Sequence, residues 1–121
     1  MEYSSVKVVE SAVAPGVRLV LRRMTFARRV ELMRRIRELA RRAEFLRAGD
    51  DPQEQMDASL ARAEVDRLYV AWGVQDVEGL VVDGTPATSE TLAEAGPEEL
   101  FREALDAVMA ECGLSETERK N

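Results

Sequence analysis

The sequence predicts an α+β fold: an N-terminal β-hairpin, two long antiparallel helices, a short β element and a third, C-terminal helix. Three observations carry this. Residues 17–23 alternate apolar and polar side chains with a period of two. Residues 24–48 and 52–72 carry apolar residues at steps of three and four, broken only around Gly49–Pro52. The same helical step returns over Leu100–Cys112. With 121 residues, 45% of them hydrophobic, the chain is expected to form a single domain over 1–121. Its segments are 1–24 (hairpin), 25–73 (helical hairpin), 74–88 (β element) and 89–121 (C-terminal helical segment).

The hairpin pairs two Val-rich runs, residues 3–12 and 17–23. Pro15 presets φ at the first central turn position and Gly16 accepts the positive φ at the second. In the second run Val17, Leu19 and Leu21 form one face, and Arg18, Val20 and Arg22 the other.

The first helix is expected from an N-cap at Thr25 to a stop at Gly49, about 36 Å long. Its apolar stripe is Phe26, Val30, Met33, Ile36, Leu39/Ala40, Ala43 and Leu46. The opposite face holds Arg28, Arg29, Arg34, Arg35, Arg41 and Arg42, with Glu31–Arg35 and Glu38–Arg42 as favourable i,i+4 pairs. Asp51 can cap a second helix that starts on Pro52 and runs to about Trp72. Its buried side is predicted to be Ala61, Val65, Leu68, Tyr69 and Trp72, with Leu60 beside them. Trp72 is expected to be buried against the first helix, and Gly73 to end the second. The short break predicts that the two helices pack antiparallel.

Leu80-Val81-Val82 reads as a short strand and Asp83-Gly84 as a tight turn, while Pro86 confines the residues after it to an edge strand or loop. A helical turn is expected from Ser89. Gly96-Pro97-Glu98-Glu99 then opens the last helix, with Leu100, Phe101, Ala104, Leu105, Val108, Met109 and Cys112 on its apolar side. Gly113 stops it, and Ser115 with Glu118 forms a capping box for one further turn.

Composition narrows the chemistry. There is no histidine, which removes the commonest general base and metal ligand. The single cysteine, Cys112, sits on an apolar stripe, where an inert buried thiol is expected. The acidic pairs Asp50-Asp51 and Glu98-Glu99 are accounted for by helix starts. No calcium-loop spacing and no glycine-rich phosphate loop is present. No catalytic, cofactor-binding or metal site is expected; a two-carboxylate acid/base site stays open, with nothing in the spacing to favour one. No apolar run is long enough to span a membrane and the N-terminus does not read as a signal peptide, so a cytoplasmic protein is expected.

Net charge is -6, but residues 1–49 carry +7 and residues 50–121 carry -13. Mutual neutralisation of the two halves is the preferred reading. The alternative, an arginine face that follows a nucleic-acid backbone over Arg22–Arg47, is opposed by the interleaved Glu31, Glu38 and Glu44 and by the absence of aromatic residues among the arginines. Tyr69 and Trp72 are read as core aromatics, with a partner-binding anchor as the alternative.

A set of short motifs spans residues 68–121: Leu68-Tyr69, Trp72-Gly73-Val74, Val77-Glu78-Gly79-Leu80, Val82-Asp83-Gly84, Pro86-Ala87-Thr88, Gly96-Pro97-Glu98-Glu99-Leu100 and Glu118-Arg119-Lys120-Asn121. This half of the chain resembles the tail assembly chaperones of phage and prophage tail operons. The resemblance implies a non-enzymatic protein that binds the helical tape measure protein, keeps it soluble and recruits tail tube subunits. It implies no individual binding residues. A tape measure protein presents an apolar-striped helix, so its chaperone needs an exposed apolar strip, for which the hairpin face and the Leu80–Val82 edge are the candidates. Alternatives are a structural virion or head–tail connector protein and, behind it, a nucleic-acid-binding regulator. The end of the chain carries one more expectation. The chain has 15 arginines and 16 alanines but only two lysines, Lys7 and Lys120, and one asparagine, Asn121. Arg119-Lys120-Asn121 can be encoded as a slippery A-AAA-AAC sequence, and genes of the resembled family often shift frame at such a site to give a longer product.

Overall fold

A computed structural model describes residues 1–47 and 51–113. The expected stop at Gly49, the capping box Ser115–Glu118 and the Arg119–Asn121 end lie outside the described residues. The chain forms two compact units: Met1–Met24 together with Tyr69–Asn121, and Thr25–Leu68. The fold is α+β, with an N-terminal hairpin, helices, a short strand pair and a C-terminal helix.

The first unit is built around a sheet. Strand β1 (Val6–Glu10) pairs antiparallel with β2 (Arg18–Arg22), in register Val6 to Arg22 through Glu10 to Arg18. The turn forms as the local chemistry dictates: Val17 N–H donates to the Ala14 carbonyl at 3.0 Å, and Gly16 adopts φ 92°. The hairpin is extended by a third strand, β3 (Val74–Glu78), which pairs antiparallel with β2 and makes β2 central. The sequence places the strand of the 74–88 element at Leu80–Val82 and gives no sign of β3. The cause is a bulge: Asp76 faces Val20 while Val74 faces Leu21, so Gln75 is an extra residue. It makes the step between the buried Val74 and Val77 three residues and destroys the period-two signal.

The second unit consists of α1 (Phe26–Arg47) and α2 from Pro52 to Leu68; the last residues of α2 (Pro52–Gly73) belong to the first unit. Thr25 caps α1, its hydroxyl accepting from Arg28 N–H at 3.2 Å. Asp51 caps α2, its carboxylate accepting from Gln53 N–H at 2.9 Å. Glu31 and Arg35 pair at 2.8 Å. The predicted faces need correction. On α1, Phe26 and Met33 are exposed, and Leu32, which the predicted stripe omitted, is the buried residue among those whose side chains are described. On α2, Leu60 is exposed, whereas Ala58 and Val70 join Ala61, Tyr69 and Trp72 as buried residues. Both helices carry apolar residues on more than one side, so spacing alone did not select the face that is covered.

The first unit continues with β4 (Val81–Val82) and β5 (Thr85–Pro86), joined by Asp83 and Gly84 at φ 51° and 81°, the two positive values a tight two-residue hairpin turn requires. Helix α3 (Ser89–Ala95) starts at Ser89 as expected and is capped by Thr88. Thr91 N–H donates to the Thr88 hydroxyl oxygen at 3.2 Å, and Thr88 N–H donates to that of Thr91 at 2.7 Å. Helix α4 (Glu98–Glu111) buries Leu100, Ala104, Leu105, Val108 and Met109, and Glu98 and Glu99 in its first turn complement the helix dipole. The core of this unit is formed by Leu19, Leu21, Val70, Val74, Leu92, Leu100 and Leu105, all essentially without solvent contact. Gly73 lies against α4: a Cβ there would sit 2.6 Å from Val108 Cγ1.

Candidate interaction surface

The sheet has two unlike faces. Leu19 and Leu21 of β2, with Val77 and Val74 opposite them on β3, are buried. The alternate residues define the outer face. There Val8 lies across from Val20, which in turn lies across from Asp76, and Val6 follows two positions along β1. Val8 is 53% exposed, and Val6 and Val20 are half-buried. Three valines on a solvent face form a short apolar strip across two strands. Its ends are charged: Arg18 Nε pairs with Glu10 Oε1 at 3.0 Å, and Arg22 Nη1 donates to the Trp72 carbonyl at 3.0 Å.

β1 is also an edge strand, with one row of backbone groups open to a further strand. Lys7 works against that use. It lies across from the buried Leu21, on the core side of the sheet, with its Nζ 3.9 Å from Glu111 Oε2. An inward-pointing lysine on an edge strand is a recognised obstacle to edge-to-edge pairing. The face therefore suits a ligand better than the edge does.

The sheet is tied to α4 through a polar cluster that sequence reasoning missed. Glu103 accepts from the Ser11 hydroxyl, from Ala12 N–H at 2.7 Å and from Val13 N–H at 3.3 Å. Ser11 Oγ also accepts from Ala14 N–H at 2.8 Å. One carboxylate thus organises the whole β1–β2 loop. Burial by itself would raise the Glu103 carboxyl, but the hydrogen bonds from Ser11, Ala12 and Val13 outweigh it and hold the group below its ordinary value. A serine just before a loop and a glutamate more than ninety residues later carry no pattern that links them in the sequence.

The other residues weighed from the sequence occupy structural positions. Tyr69 and Trp72 are buried, 4% and 7% exposed, as core residues and not exposed anchors. Cys112 is buried beyond the end of α4. Asp51 and Glu98–Glu99 serve helix starts, and Asp50 lies outside the described residues. Val81, in the other candidate surface, is 64% exposed, but its strand is only two residues long. Among the described residues no group of three or more His, Cys, Asp or Glu is placed to hold a metal ion, and no helix is long and apolar enough to cross a membrane.

The charge asymmetry also looks different in three dimensions. The first unit joins the +2 of residues 1–24 to the acidic C-terminal part, giving 7 basic and 14 acidic residues, whereas the second holds 10 and 9. Lys7–Glu111 is one ion pair between the basic and acidic halves. Compared with protein-family models, with curated proteins and with solved structures, the chain matches none.

Proposed function

We propose that this protein is a non-enzymatic assembly chaperone of the phage tail type, which covers the apolar stripe of a helical tape measure protein with the outer face of its sheet. The observation that supports this reading is the Val6–Val8–Val20 strip. It is apolar and accessible on a sheet whose opposite face supplies the core, and the loop that follows β1 is tied to α4 by the Ser11–Glu103 cluster. Burying three valines contributes a few kcal/mol at most at ~25 cal/mol per Å². That is appropriate for a client that must later be released.

The test is co-expression with a phage tape measure protein. The wild type is expected to keep that protein in the soluble fraction and to co-purify with it. Val8→Glu is expected to abolish both effects while leaving the melting temperature within about 2 °C, since an exposed position away from structural features changes stability little. A tape measure protein that is equally soluble with and without this chain would refute the proposal. So would the presence of this chain in purified mature particles, the mark of a structural virion or connector protein.

A further inference from the structure

We infer that the helical unit, residues 25–68, is a self-association module: α1 of one copy docks on α2 of a second copy, and α2 on α1, about a two-fold axis. This does not depend on the function proposed for the sheet.

The first observation is exposure. Phe26 is 86% exposed and Met33 61%, and with the half-buried Val30 they stand at i, i+4 and i+7 along one side of α1. On α2, Met56 is 63% exposed and Leu60 59%, again at i and i+4, and the exposed Ala63 continues the line. Against these, the buried apolar residues described in the unit are Leu32, Ala58 and Ala61. The half-buried Val30, Ile36, Leu39, Val65 and Leu68 add part of their surface to these. Ordering some forty residues costs about 1–2 kcal/mol each for the backbone alone, and the two exposed strips are apolar surface from which further burial can come.

The second observation is charge, and it selects the occupant. Helix α1 has eight arginines and three glutamates; α2 has four acids and two arginines. At 100° per residue, Arg34 and Arg41, both exposed, flank the Phe26–Met33 strip on one side, the exposed Arg37 continues it in line, and Glu38 and Glu31 follow further round. On α2 the strip is flanked on one side by Glu64 and Asp57, and the exposed Arg67 continues it in line. Pairing α1 with α1 would set two arginine rims against each other. Pairing α1 with α2 of a second copy sets an arginine rim against acids, and a two-fold axis repeats that favourable contact. The chain thus carries both halves of a self-complementary interface, with an apolar centre and a charged rim.

The experiment is sedimentation of the full-length chain over roughly 1–100 µM, where a modest isologous interface populates both states. A monomer–dimer equilibrium is expected, weakened as salt rises because the rim charges are screened. Met33→Glu and Leu60→Arg are each expected to raise the dissociation constant at least about tenfold. Both positions are exposed, and circular dichroism is expected to show unchanged helix content in the monomer. A chain monomeric throughout the range would overturn the inference. So would a dimer that tolerates both substitutions, or one broken by only one of them, which would mean a different surface or the pairing of like helices. Sedimentation of a monomeric chain with anionic vesicles, lost in Met33→Glu, would instead assign the α1 strip to a membrane surface.

Discussion

The two units use their apolar residues differently. In the first, a three-stranded sheet and α4 enclose seven large side chains almost completely, and the half-buried Glu103 carboxylate on α4 holds the β1–β2 loop. In the second, among the residues whose side chains are described, one large residue, Leu32, is buried while four, Phe26, Met33, Met56 and Leu60, are exposed. Leucine and alanine do not separate them, for both units are rich in each, although valine is concentrated in the first, twelve residues against two. What differs is the geometry available for burial. A sheet presents a flat face that one helix can cover. A helix with apolar residues on several sides needs more than one neighbour. The first unit is therefore expected to govern the stability of the monomer, and the second to govern association.

The largest effect should come from the first core. Trp72→Ala removes a side chain 7% exposed and is expected to cost about 3–5 kcal/mol, lowering the urea midpoint sharply. The loss should be the same at low and high protein concentration. A change below about 1 kcal/mol would break the comparison, because it would mean this core does not control unfolding.

Next is Gly79, at φ +83°, where an added Cβ would meet the Gly16 carbonyl oxygen at 2.3 Å. Gly79→Ala combines a left-handed backbone penalty with a backbone clash, and about 2–4 kcal/mol is expected by thermal melting. A near-neutral result would show that the loop after β3 is free to move away from the β1–β2 turn. The same geometry gives a structural account of part of the motif behind the chaperone resemblance. In Glu78-Gly79-Leu80-x-Val82-Asp83-Gly84-x-Pro86, Gly79 serves close backbone approach, and Asp83 and Gly84 form a hairpin turn.

These cases also indicate what a sequence exposes to view. The Pro15–Gly16 turn, the Thr25 and Asp51 caps and the α4 stripe were legible because each is decided by residues within a few positions of one another. Strand β3 was not, because the bulge at Gln75 erases alternation and Gly73 passes from helix to strand without a loop. The covered face of α1 was not, because spacing permits Phe26 and Met33 as readily as Leu32. Of the candidate surface, the hairpin face was identifiable from alternation. Its anchoring by Glu103 depends on a contact spanning 91 residues and was invisible.

Leu32 sharpens the contrast from the other side. Leu32→Ala is expected to cost about 2 kcal/mol, at the low end for a buried leucine because the described apolar neighbours on α1, Val30, Ile36 and Leu39, are only half-buried. If the second unit associates as inferred, this loss should shrink as protein concentration rises, since mass action restores stability through the dimer. A loss that is independent of concentration would uncouple the second unit's core from association.

The smallest effect separates electrostatics from packing in the first unit. Glu103→Gln keeps the size of the side chain but removes the charge that accepts from Ser11, Ala12 and Val13. Hydrogen bonds to a charged group are worth ~1.5–3 kcal/mol when dry, and this carboxylate is partly solvated, so about 1 kcal/mol is expected at pH 7. The direction of the pH dependence is set by the Glu103 carboxyl lying below its ordinary value of 4.5 in the folded protein. Above that ordinary value both folded and unfolded chains are ionised here, and the contribution is complete. As pH falls, the unfolded chain takes up the proton first, so acid favours unfolding until the folded carboxyl is protonated too. Subtracting the Glu103→Gln curve from the wild type isolates this group. The gap between their urea midpoints should be constant well above pH 4.5 and close as the pH falls below it. A gap that persists undiminished into strong acid would show that the loop is held by shape and hydrogen bonding alone, with no net contribution from the Glu103 charge.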